Sequence, residues 1–127
     1  MSLLASIVTR WGQVPQLYTL VPAARVIVGE PILGWPVPAV ALTGYTRTKQ
    51  NRVSDGGKID TVTLRVSIEA ASASDVEAIA DAIRDHLCPV SVGNRRLVAW
   101  ITYSLDLTRD PTSEHYVGAA TYNLHFW

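Results

Sequence analysis

The chain has 127 residues, 48% hydrophobic and 17% charged, which is enough for one hydrophobic core and too apolar for an intrinsically disordered chain. Eleven basic and eleven acidic side chains cancel, so no global field holds nucleic acid and any such contact is local or transient. A single cysteine, Cys88, excludes an internal disulfide and fits a reducing compartment.

The apolar start at Leu3-Leu4-Ala5 lacks the basic lead-in of a signal peptide, and Arg10 interrupts it. No uncharged apolar run approaches the roughly 20 residues that a membrane span needs. The expectation is a soluble protein made in a cytoplasm, with no membrane partner. Leu3, Leu4, Ile7, Val8 and Trp11 recur at helical spacing behind Ser2 as N-cap, and Gly12 is a natural stop. Val14, Leu17, Tyr18 and Val21 prolong that spacing past Pro15, enough for a second helical turn. From Pro22 to Pro38 the chain is irregular, and only Arg25 to Val28 looks extended. A segment of that length in a small domain is either a plain crossover or a functional arm.

Ala39 to Lys49 reads as a strand, and Lys58 to Glu69 as its partner. In the second, Val62, Leu64, Val66 and Ile68 alternate with Thr61, Thr63, Arg65, Ser67 and Glu69, so one face is buried and the other wet. Asn51 to Gly57 connects them as a hairpin, where Asp55-Gly56-Gly57 tolerates positive φ. Ser74 and Glu77 read as a capping box ahead of a helix whose Val76, Ile79, Ala80, Ile83 and Leu87 form one apolar stripe. Pro89 ends it near Cys88. Arg96 to Thr108 alternates again, Asp110-Pro111 sets up a turn, and Tyr116 to Trp127 forms a last strand. The order α-β-β-α-β-β gives an α+β fold: an antiparallel four-stranded sheet with two helices packed on one face. It forms one domain over 1–127, with an N-terminal helical segment (1–21), a Pro-rich arm (22–37), and the sheet plus second helix (38–127).

Residues that carry chemistry are scattered. Gly56-Gly57-Lys58 lacks the glycine spacing of a P-loop and is followed by Ile59, so it reads as a turn. His115 and His125 share a strand face but stand roughly 33 Å apart at 3.3 Å per residue, too far to hold one ion. His86 sits at a helix end, where the dipole favours a cation. Glu77, Asp81 and Asp85 recur every four residues and read as a solvated face, with a divalent metal as the alternative. Cys88 has no base beside it and reads as inert. No catalytic, metal or cofactor residue is assigned, and the chain reads as a building block of an assembly, not an enzyme.

Two features call for a partner. Val98, Trp100, Val117 and Trp127 fall opposite the apolar faces of their strands, and Trp35 lies in the arm. This apolar set is the candidate subunit or partner interface, with coverage by the arm as the alternative. The charges are also sorted. Arg47, Lys49, Arg52 and Lys58 cluster on the first hairpin against one acid, Asp55, whereas the second helix is acidic. Complementary patches on one molecule suit head-to-tail self-association into a ring.

The sequence resembles the tail-completion, or tail-terminator, proteins of long-tailed bacteriophages and of phage-derived particles such as gene-transfer agents. The likeness runs over about 36–124. It is carried by Pro38-Ala39-Val40-Ala41-Leu42, Thr61-Val62-Thr63-Leu64-Arg65-Val66, and Glu77-Ala78-Ile79-Ala80-Asp81-Ala82-Ile83. It continues through Thr108-Arg109-Asp110-Pro111 and His115-Tyr116-Val117-Gly118. The resemblance implies a structural virion protein, a hexameric ring on the head-proximal end of the tail tube. That ring would end tube polymerisation and join the tail to the head connector, with DNA only in transit through its lumen. The implied partners are copies of itself, the tail-tube protein and the head-tail connector protein, in a virion tail assembled in the bacterial host cytoplasm. On that footing the basic hairpin (Arg47, Lys49, Arg52, Lys58) is expected to face the lumen or the tube. The Pro-rich segment and the Trp35, Trp100 and Trp127 set depart from the family pattern. Two other readings stand beside this one: a head-completion or connector protein of the same particle, and a small ligand-binding or enzymatic α+β domain.

Overall fold

The computed structural model describes residues 2–31, 36–52, 58–93, 95–112 and 114–126, with the backbone alone at 48–52, 58–59, 98–103 and 126. The first helix, α1, spans Leu3–Trp11. The Ser2 hydroxyl caps it by accepting from the Ala5 N–H at 3.2 Å, and Gly12 closes it as expected. The second helical turn past Pro15 is real: α2 spans Pro15–Tyr18. A short 3-10 turn at Ala23–Arg25 leads into β1, Val26–Val28. Then come β2 (Ala39–Arg52), β3 (Lys58–Ala70), α3 (Ala73–His86), β4 (Val90–Val92), β5 (Arg95–Arg109) and β6 (Tyr116–Phe126). The expected tip of the first hairpin, 53–57, lies outside the described residues.

The fold is α+β, but the sheet differs from the expected four antiparallel strands. It has six strands in the order β1-β2-β3-β6-β5-β4. β1 runs parallel to β2, and the other pairings are antiparallel, so the sheet is mixed. The additional strands are three residues each and lie at the two edges, too short to show an alternating pattern.

Helices cover one face. Val40, Leu42, Val62, Leu64, Val66, Ile68, Leu97, Tyr122 and Leu124 meet Ile7, Trp11, Val76, Ile79 and Ile83 there in a single buried core. Two buried side chains fix this packing through their polar ends. The Trp11 indole N–H donates to the Val21 carbonyl at 2.8 Å, and the Tyr122 hydroxyl donates to the Ala80 carbonyl at 2.8 Å. Gly118 lets α3 approach β6. A Cβ there would meet Val76 Cγ1 at 2.5 Å and Leu105 Cδ1 at 2.8 Å, so no larger residue fits without movement. α3 packs on β3, β5 and β6, whereas α1 packs on both β1 and β4, the two edges of the sheet. Arg10 on α1 donates to the Leu87 carbonyl at 3.2 Å, tying α1 to the end of α3.

The N-cap of α3 is Ser72, not Ser74. Its hydroxyl accepts from the Asp75 N–H at 3.2 Å, and the helix begins one residue before Ser74. Both serines can start a capping box, and the extended backbone at Ser72 (φ −138°, ψ 157°) decides which one does.

Candidate interface

The hairpin end of the sheet is built around one acid. In β3, Asp60 continues the alternation of Val62 and Leu64, which places a carboxylate on the apolar face, and it is 3% exposed. A buried carboxylate needs partners. β2 supplies one through an irregularity. Between Leu42 and Gly44 the register with β3 slips, so that Leu42 pairs with Val66 but Tyr45 pairs with Leu64 and Arg47 with Val62. An extra residue in one strand moves all later side chains to the other face. Arg47 is thereby turned onto the core side, where its Nε and Nη2 each reach Asp60 Oδ2 at 2.6 Å. β5 supplies the second partner, Arg95 Nη2, at 3.1 Å from the same oxygen. Burial pushes the Asp60 carboxyl upward, but hydrogen bonds and charge from the two arginines outweigh it and hold the group below the usual carboxylate range. Sequence reasoning missed Asp60 and Arg95. The signal for Asp60 was present, an acid in phase with the apolar residues of the cleanest strand.

Among the described residues, the outer sheet face carries no helix. Arg65 is exposed and donates to Thr46 Oγ1 at 3.0 Å, and Thr63 donates to Asn123 Oδ1 at 3.1 Å. Ser67, Val117, Thr121 and Asn123 are half-buried and Ala119 is exposed. At the β1 corner, Ile27 and Pro31 lie against Ala39 and Ala41, and both alanines are buried. This part of the arm sits at the β1–β2 edge of the sheet, away from Val98, Trp100 and Val117 on β5 and β6.

Of the proposed apolar interface, Val117 is described in full: half-buried on β6, paired with Glu69 and Thr108. Val98 pairs with His125 by backbone register, and Trp100 lies in the stretch of β5 where the register shifts between Ala99 and Tyr103. Trp35 and Trp127 lie outside the described residues, as do the side chains of Val98 and Trp100. Of the basic hairpin, Arg47 is bound to Asp60. Lys49, Arg52 and Lys58 are placed by register, with Lys49 opposite Asp60 and Arg52 opposite Lys58.

α3 turns its acids outward, with Glu77 and Asp85 exposed and Asp81 half-buried. Arg84 pairs with Asp85 at 2.9 Å and Asp81 at 3.7 Å, and its hydrogen bond lowers the Asp85 carboxyl. Burial pushes the Cys88 thiol up to about 11, so it stays protonated at neutral pH and is a poor nucleophile. A hollow of about 230 Å³ lies between α2 and the start of α3, floored by Ala70, Ala71 and Ile79, with Asp75 its one titratable group among the described residues. No group of three or more metal-binding side chains occurs among the described residues, and no helix there is long and apolar enough to cross a membrane.

The model of one protein family, described as tail completion protein gp17, matches residues 5–125. The chain belongs to the tail completion protein gp17 family. That makes it a structural component of phage-type tails and confirms the resemblance read from the strands and the second helix. The match also reaches back through α1 and the Pro-rich segment, beyond the 36–124 over which the resemblance runs. The fold matches a chain in the solved virion of a native gene transfer agent particle, with a TM-score of 0.72 at 17% identity. The alignment covers 98% of this chain and 94% of that one, which shows a shared fold from end to end. No curated protein matches the chain in sequence.

Proposed function

We propose that this chain forms a ring, six subunits in the simplest case, on the head-proximal end of the tail tube. The ring ends tube polymerisation and presents the surface that receives the head connector. DNA meets it only in transit, and assembly takes place in the host cytoplasm. The family match over residues 5–125 carries this reading. The structure supports it with a subunit whose helices occupy one sheet face and leave most of the other for neighbours. Val98, Trp100 and Val117 on β5 and β6, with Trp35 and Trp127, form the proposed apolar contact with a neighbouring subunit. The hairpin end forms a second contact surface. The deciding experiment is imaging of particles made with and without this chain. Wild-type tails should carry a ring at the head-proximal end, and its loss should give tubes of irregular length without heads. Normal-length tails joined to heads in its absence would overturn the reading.

A further inference from the structure

The sheet gathers charge that the sequence disperses. Asp60 pairs with Phe126, and Phe126 with Leu97, so the end where β2 turns into β3 is also the end where β4 turns into β5. Arg95 and Arg96 therefore stand at the same end as Arg47, Lys49, Arg52 and Lys58. Against these six cations the sequence sets Asp55 and Asp60, which leaves four net positive charges on a chain whose total is zero. The compensating charge is concentrated on one element. α3 carries Asp75, Glu77, Asp81 and Asp85 against Arg84, a net of three negative charges.

We propose that the basic end of one subunit docks on the acidic face of α3 of a second copy of this chain. The proposal rests on the ring reading above and names the surfaces that would build it. Both signs are present on one molecule at different surfaces, so the contact is head-to-tail and propagates from subunit to subunit until it closes. DNA matches the basic end in sign but not in magnitude. Six copies would set roughly two dozen net positive charges along its path, and affinity rises with every phosphate neutralised. A conduit has to release what passes through it. A neighbour's acidic helix neutralises the same cations and leaves the path clear.

Asp60 is the positioning residue of this surface. It binds Arg47 from the first hairpin and Arg95 from the second, so two basic segments distant in sequence are held as one. Because Arg47 and Arg95 serve that pairing, the test uses Lys49, Arg52, Lys58 and Arg96.

One variant reverses those four to Glu, and a second carries Glu77→Lys, Asp81→Lys and Asp85→Lys. Each alone sets like charges across every contact and should lower ring occupancy on purified tails by at least about tenfold. A chain carrying both sets is complementary to itself and should recover wild-type occupancy. Co-expression of the two single-set chains should recover it as well, because alternating subunits match at every contact in an even-numbered ring. Circular dichroism checks folding, and Arg96→Glu paired with the α3 set replaces the larger set if that fails to fold. Undiminished rings from either reversal would overturn the contact while leaving the ring reading intact. Loss that the combined chain does not restore, accompanied by loss of duplex DNA retention, would overturn it in favour of DNA. Absence of the wild-type chain from tails would overturn the ring reading, and this contact with it.

Discussion

The two ends of the sheet are held together by different forces. Where α3 lies across β3, β5 and β6, the contacts are apolar, non-directional and continuous from Val76 to Leu124. Toward the hairpin, one carboxylate oxygen shared by two arginines adds a charged contact to the backbone ladder of β2 and β3. Arg47 is 38% and Arg95 29% exposed, so solvent screens this cluster in a way that it cannot screen the core. The covered end should therefore ignore salt and moderate acid, whereas the hairpin end should respond to both.

Four substitutions sharpen the contrast. The largest effect is expected at the covered end. Ile83 is 3% exposed against the sheet, and Ile83→Ala should cost about 2–5 kcal/mol in denaturant unfolding, unchanged by salt. Next comes Asp60→Asn, which leaves both arginines without their anion and should cost about 1–3 kcal/mol, reduced by salt because the arginines are partly exposed. Its pH dependence has a definite sign. The folded carboxyl titrates below its unfolded value, so its contribution is complete above about pH 4 and is lost as the pH falls through the lowered value. The gap between wild type and Asp60→Asn should accordingly narrow in acid, and a gap constant from pH 7 to pH 2 would remove the ion cluster from the account. The smallest effect is at the start of α3, where Ser72→Ala should cost about 1 kcal/mol and Ser74→Ala less than about half of that. Equal costs at the two serines would return the cap to Ser74.

What could be read from the sequence followed the strength of its periodicity. β3 was legible because four branched or aliphatic residues alternate without interruption, and α1 because Ser2 and Gly12 bracket its stripe. β4 was not, since three residues between Pro89 and Gly93 offer no period. The partner of β1 was hidden for a different reason: parallel pairing carries no local turn to announce it. The site suffered most from register. The slip at Gly44 reverses the facing of Arg47, so a residue expected to project freely is drawn onto a buried acid. A glycine inside a strand is a recognised mark of such a slip, and together with Asp60 in the apolar phase it could have located the pair. Arg95 could not have been found that way, because only the strand order brings it to β3.

The packing of α1 on both β1 and β4 has a consequence for fluctuation. Edge strands of a six-stranded sheet ordinarily fray independently, each at its own free-energy cost. Here one helix leans on both, and the Arg10 bond to Leu87 ties that helix to the approach to β4. Detachment of α1 would unlatch the first and last strands together, so amides in Val26–Val28 and Val90–Val92 should exchange with solvent through one shared opening event. Exchange measured on the free subunit and again on the assembled tail would then report one number for two remote strands, and that number would rise as neighbours lock the helix in place.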